Sequence, residues 1–194
     1  MKRLYTVILF ALALSAVAAS KEPKKPADVK EKFEMCPGKY ALCIKAPCLK
    51  QRDSENLYPC QCVIETGWNM GPNTCEERAE HLTSTYSNLF NGGSSTISCP
   101  APTDWAWCYG ASCTPDPKDP SKLAICKCPM LTSATVILTS TEKCGDTSIC
   151  RHLWSGALPA ESKFANEYYA WWMNQHSHPT NPAAPACPTT DYKK

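Results

Sequence analysis

The chain has 194 residues, 14 of them cysteine and 17 proline against only 8 glycines, a length that fits one domain or two small ones and excludes a large multidomain enzyme. Its formal charge is +2, and loss of an N-terminal segment carrying Lys2 and Arg3 brings the remainder to neutrality. A neutral chain has no general electrostatic hold on nucleic acid or on an anionic membrane, so neither is expected as a partner.

Residues 1–19 read as a signal peptide: Lys2 and Arg3, an apolar run from Leu4 to Leu14, then Ser15-Ala16-Val17-Ala18-Ala19 as a small-residue cleavage site. The expected location is outside the cytoplasm, periplasmic or secreted. No later apolar stretch approaches the ~18 residues that cross a bilayer, so no membrane span is expected. Residues 20–35 are rich in Lys, Glu and Pro and read as a flexible charged leader.

An internal repeat follows. Cys36, Cys43, Cys48, Cys60, Cys62 and Cys75 are spaced by 6, 4, 11, 1 and 12 residues. Cys99, Cys108, Cys113, Cys126, Cys128 and Cys144 are spaced by 8, 4, 12, 1 and 15. Flanking residues agree: Cys36-Pro37 with Cys99-Pro100, Ala46-Pro47-Cys48 with Ala111-Ser112-Cys113, and Cys60-Gln61-Cys62 with Cys126-Lys127-Cys128. The organisation read from this is a first cysteine-rich repeat over residues 36–90, a linker over 91–98 around Asn91-Gly92-Gly93, a second repeat over 99–150, and a C-terminal helix with a Pro-rich tail over 151–194.

Within the first repeat, residues 57–64 alternate in part and read as a strand. A Cys-X-Cys pair on a strand sends both sulfurs to one face, because side chains alternate with period two. Thr74-Cys75-Glu76-Glu77 has the form of a capping box and opens a short helix. In the second repeat, residues 123–128 read as a strand. The Pro- and Asp-rich run at 115–121 is a turn that joins Cys113 to Cys126 in a hairpin. Residues 135–139, rich in β-branched side chains, make a further strand. Pro159 suits the first turn of a helix over about residues 160–176. Phe164, Tyr168 and Trp171 form one stripe of it and are expected to pack in the core; Ala165, Tyr169 and Trp172 form the adjacent stripe. The expected fold class is a small disulfide-rich, mainly β protein with a C-terminal helix (α+β), carrying two tandem homologous Cys-X-Cys repeats.

Only 22 Leu, Ile, Val and Phe occur after residue 19, too few for an ordinary core. Seven disulfides, each contributing about 2–4 kcal/mol by restricting the unfolded chain, offset that deficit. All 14 cysteines are expected to pair, within each set of six and by the same scheme, with Cys150 bonded to Cys187. Metal-thiolate binding is the alternative for the sulfurs, but paired Cys-X2-Cys knuckles are absent and an exporting route oxidises thiols. His176-Ser177-His178 is a weak metal candidate. No metal and no cofactor is expected.

No nucleophile elbow or catalytic triad pattern occurs, so no catalytic residue is assigned. A hydrolase assembled from separate loops would draw on His81, His152, Glu65 and Asp104. The stronger lead is the alternation of Trp105, Trp107 and Tyr109, a candidate binding surface, since aromatic side chains anchor proteins and sugars. The function expected is that of an exported, disulfide-stapled binding protein with a protein or glycan partner outside the cytoplasm. In a narrower form it is an enzyme inhibitor presenting the loop at 116–121.

Overall fold

The computed structural model describes residues 33–51, 53, 55–88, 93–140 and 143–188. The signal segment, nearly all of the leader, Asn91-Gly92 of the linker and the last six residues lie outside the described residues.

Strand β1 (Glu34–Leu42) runs antiparallel to the long strand β2 (Tyr58–Gly71). A short helix α1 (Cys75–Glu80) follows. Strand β3 (Ser94–Ala106) begins inside the stretch read as a linker. Strands β4 (Cys113–Pro115) and β5 (Leu123–Cys128) form the expected hairpin, with Cys113 opposite Cys126. After Pro129, β6 (Met130–Ser140) pairs with β3. A 3-10 helix (Thr147–Arg151) and the helix α2 (Pro159–Gln175) complete the chain. One sheet has the order β1-β2-β5-β4 and the other is the β3–β6 pair. The protein is mainly β with one long C-terminal helix.

The Cys-X-Cys segments sit at the centre of the larger sheet, where β2 pairs with β5 and Cys60 lies opposite Cys126. Along both strands the alternation holds: Cys60, Cys62, Ala124, Cys126 and Cys128 are buried, while Gln61 and Lys127 are exposed. The resulting core is built largely of sulfur and alanine, with Ala41, Ala46, Ala106 and Ala124 packed among the cysteines. This packing explains how the chain folds with so few large aliphatic residues.

All 14 cysteines are in disulfides. The first set nests as Cys36–Cys75, Cys43–Cys62 and Cys48–Cys60. The second nests as Cys99–Cys150, Cys108–Cys128 and Cys113–Cys126, and Cys144 bonds Cys187. The expected Cys150–Cys187 bond and a bond from Cys144 within its own set are therefore corrected. The reason is local structure. Cys75 lies on α1, and the residue that reaches Cys99 in the same way is Cys150 on the 3-10 helix, whereas Cys144 lies before that helix and faces the tail.

Helix ends follow their sequence signals. Thr74 Oγ1 accepts from Glu77 N at 3.3 Å and Glu77 Oε2 accepts from Thr74 N at 3.0 Å, closing the capping box of α1. Pro159 occupies the first turn of α2, and Leu158 N donates to Glu161 Oε2. The helix turns Tyr169 and Met173 fully inward against Met35 and Met70, with Ala165 and Trp172 partly buried beside them. The core stripe is thus the adjacent one. Of the expected stripe, Tyr168 packs against the same cluster, while Phe164 and Trp171 are half-buried beside it, each with its ring centroid 5.6 Å from that of Tyr168.

Two straps, one after each short helix, bond the strands. After α1, Thr85 N and Thr83 O bond Ala41 on β1, and Met70 and Tyr86 exchange N–H···O bonds. After the 3-10 helix, Gly156 N and Trp154 O bond Ala106 on β3, and Val136 and Ala157 exchange N–H···O bonds. Each strap also reaches across: Cys113 N donates to Leu82 O, and Cys48 N donates to Leu153 O.

Candidate functional site

A cavity of about 390 Å³ lies between the two straps, against the first turns of α2. Its walls come from corresponding places in the two halves: Cys43 and Cys108, Met70 and Val136, Tyr86 and Ala157. The Cys43–Cys62 and Cys108–Cys128 disulfides anchor the two facing walls to the central strands. Aromatic rings close one side. Phe33 stands 5.7 Å from Tyr109 and 5.1 Å from Phe164, and Trp107 lines the same space.

Of the three aromatics singled out by alternation, the structure brings two to this cavity. Trp107 and Tyr109 are half-buried at its wall. Trp105 is fully buried in the core and donates from Nε1 to Ser133 Oγ at 3.0 Å. The alternation breaks because β3 ends at Ala106, so Trp107 to Tyr109 follow the turn that leads to the Cys108–Cys128 bond.

The polar lining is sparse. Ser84, Thr85, Thr96, Ser162 and Asn166 contribute side chains, and Thr85 Oγ1 is buried with no hydrogen-bond partner among the described residues. Asn166 Oδ1 accepts from the Tyr86 hydroxyl at 2.6 Å, which fixes that ring. Among the described residues of the lining Glu161 is the one carboxylate, and it is engaged with the first turn of α2. Deeper in the fold, Ser87 Oγ and the Tyr169 hydroxyl lie 3.2 Å apart, and Tyr169 donates to Trp68 O at 2.8 Å. Burial pushes the Tyr40 hydroxyl up to about 12, opposed by Ser87, and pushes Tyr169 upward as well. Both phenols stay protonated at neutral pH and act as hydrogen-bonding groups.

The residues that a loop-assembled hydrolase would need are placed apart. Glu65 lies opposite Tyr40 in the β1–β2 pair, and Asp104 lies opposite Thr132 in the β3–β6 pair. His81 and His152 are exposed and close the C-terminal ends of α1 and the 3-10 helix. Burial pushes the Glu65 carboxyl upward. His176 stacks on Trp172 with centroids 3.9 Å apart, and His178 packs 5.1 Å from Trp68. Among the described residues, the sets of three or more metal-ligating atoms drawn together consist of disulfide sulfurs, joined in one case by Glu34.

A second polar centre lies outside the cavity lining, beside α1. The Arg78 guanidinium is buried beneath α1, donating to Asn69 Oδ1 at 2.7 Å and Glu34 O at 2.7 Å, and it contacts Cys36 Sγ. Burial holds it below its ordinary range, opposed by Tyr109 and Glu34.

Sequence reasoning missed Phe33, Tyr86 and the first turn of α2 as site residues. The signal that bore on Tyr86 was a second match, His81-Leu82-Thr83-Ser84 with His152-Leu153-Trp154-Ser155, which marks the two straps. Comparison with protein-family models, curated proteins and solved structures finds no match to this chain.

Proposed function

We propose that this chain is an exported binding protein made of two tandem, homologous Cys-X-Cys repeats, holding aromatic side chains rigid for a protein or glycan partner. Seven disulfides belong to an oxidising compartment, extracellular or periplasmic, and the signal-like residues 1–19 agree with export. No helix of the described residues is long and apolar enough to cross a membrane. The nested disulfides and matched straps support the reading of a duplication.

One observation carries the binding function: Trp107 and Tyr109 flank Cys108, whose bond to Cys128 clamps them to the central sheet while both rings stay partly accessible. A pre-ordered aromatic pair loses little conformational entropy on association. The inhibitor form of the reading rests on the β4–β5 loop, closed by Cys113–Cys126 and ordered by Asp116. The immobilised protein is expected to capture a specific partner from native extracellular fluid, and Trp107→Ala with all seven disulfides intact is expected to lose it. Capture of no specific partner, or capture unchanged in Trp107→Ala, contradicts the reading. Replacing residues 116–121 with Gly and Ser separates the inhibitor form, which predicts lost inhibition against a protease and lysozyme panel.

A further inference from the structure

We propose that the cavity between the straps takes an uncharged, ring-bearing, apolar small molecule. Its volume of about 390 Å³ falls within the ~300–1,000 Å³ typical of small-molecule sites. The space has an identifiable origin. On the first strap Tyr86 pairs with Met70 and Thr85 bonds Ala41, and at the corresponding places of the second strap Ala157 pairs with Val136 and Gly156 bonds Ala106. Smaller side chains on one side leave room that the other side fills. Gly156 is confined by its own neighbours, since a Cβ there would lie 2.6 Å from Thr135 Oγ1. Ala157 has the same strap position as Tyr86.

An ordinary core relaxes into such a space and loses stability in proportion to what remains open. Here the Cys43–Cys62 and Cys108–Cys128 bonds fix the facing walls to strands β2 and β5. A cavity held open in this way is pre-organised for a guest.

The lining decides the guest's chemistry. Phe33, Tyr86, Trp107, Tyr109 and Phe164 offer ring faces and edges, which suit a planar or alicyclic apolar body. Among the described residues that line the cavity there is no Lys, Arg or His, and Glu161 is the one carboxylate. A charged head group would give up its hydration for a lining made mostly of rings and aliphatic side chains, at a desolvation cost. An uncharged molecule meets no such cost.

The inference goes beyond the partner-binding reading and is read out separately, by dye fluorescence and not by partner capture. N-phenyl-1-naphthylamine is an uncharged apolar dye, and 8-anilinonaphthalene-1-sulfonate is the same ring system with an anionic group. Titration of the full oxidised protein with the uncharged dye is expected to saturate at one site. The sulfonate is expected to bind about tenfold or more weakly, and Ala157→Phe to weaken the uncharged dye about tenfold or more with all seven disulfides intact. Leu49→Ser, which removes an apolar side chain 66% exposed outside the cavity lining, is expected to change nothing. Should Ala157→Phe fail to fold, Ala160→Trp, at an exposed position of the first turn of α2, gives the same readout. Absent or non-saturating binding, equal affinity for the sulfonate, or unchanged affinity in a folded cavity-filling variant overturns the proposal.

Discussion

Ser155 shows how much a single side chain does in this fold. It is fully buried on the second strap, its Oγ accepts from Ala46 N at 2.8 Å, and it donates to Cys43 O. Those two bonds tie the strap to the loop that ends at the Cys43–Cys62 disulfide. Ser155→Ala leaves a buried N–H and a buried carbonyl without that partner, a loss of about 1–3 kcal/mol. Denaturant titration of the oxidised protein is expected to show a lower midpoint with an unchanged slope. Arg78 is a comparable case. Arg78→Leu strips charged donors from Asn69 Oδ1 and Glu34 O, and a cost of about 2–3 kcal/mol is expected in the same titration. A midpoint unmoved in either variant would show that these buried groups find other partners.

At the scale of elements, each disulfide-closed hairpin loop is organised by one aspartate. Asp53 Oδ1 accepts from Leu57 N and Glu55 N, both at 2.9 Å, and Asp116 Oδ1 accepts from Lys118 N at 2.9 Å. These amides are the main reason both carboxyls sit below their ordinary range. Lys127 adds to the effect at Asp53, and Gln61 adds to it at Asp116. A depressed folded-state value means that the stabilisation is fully present above the ordinary Asp value of about 3.9 and is lost as the pH falls through the depressed values. Amide exchange at Leu57 and Lys118, corrected for the intrinsic pH dependence, is expected to lose protection on acidification in that window and to stay level above about pH 5. Asp53→Asn and Asp116→Asn are each expected to abolish the pH dependence in their own loop.

The elements also show where the sequence was readable. Strands β2, β5 and β6 announce themselves by alternation and β-branched residues, and both helices by their first-turn residues. Strands β1 and β3 do not, because Pro37 and Gly38 interrupt one and Pro100 and Pro102 the other, and pairing with β2 and β6 overrides those local signals. The duplicated cysteine spacing was legible, but it matched Cys144 to Cys75 by order alone. The His-Leu-X-Ser match does not correct it, because its offset of 71 carries Cys75 to Asp146, between Cys144 and Cys150, and the choice depends on which cysteine faces Cys99 in the fold. Trp107 and Tyr109 stood out as aromatics. The cavity beside them did not, because a space depends on small residues such as Ala157 facing other elements, and single-sequence periodicity says nothing about what lies opposite.

For the whole molecule, covalent sulfur does the work that aliphatic packing does elsewhere. The larger sheet joins strands from both cysteine sets, so the two halves share one interior. The Cys144–Cys187 bond pins the tail where Thr96 N donates to Pro185 O and Cys187 N donates to Thr96 O. Its sequence separation of 43 residues implies at most about 4 kcal/mol through loop entropy. The double variant Cys144→Ser with Cys187→Ser is expected to lose stability within that limit and to expose Thr96 to amide exchange, while the Cys60–Cys62 and Cys126–Cys128 strands stay protected.

Peptide mapping of the unreduced protein, with free thiols alkylated at the outset, tests the scaffold most directly. Cleavage before Asp104 and Asp146 by an Asp-specific endoproteinase parts Cys99 from Cys108 and Cys144 from Cys150, and trypsin parts Cys126 from Cys128 at Lys127, so the combined digest resolves the Cys99 and Cys144 bonds. The predicted result is no alkylation, with Cys99 recovered on the Cys150 peptide and Cys144 on the Cys187 peptide. Alkylation at several cysteines, or a Cys150–Cys187 peptide, contradicts the account.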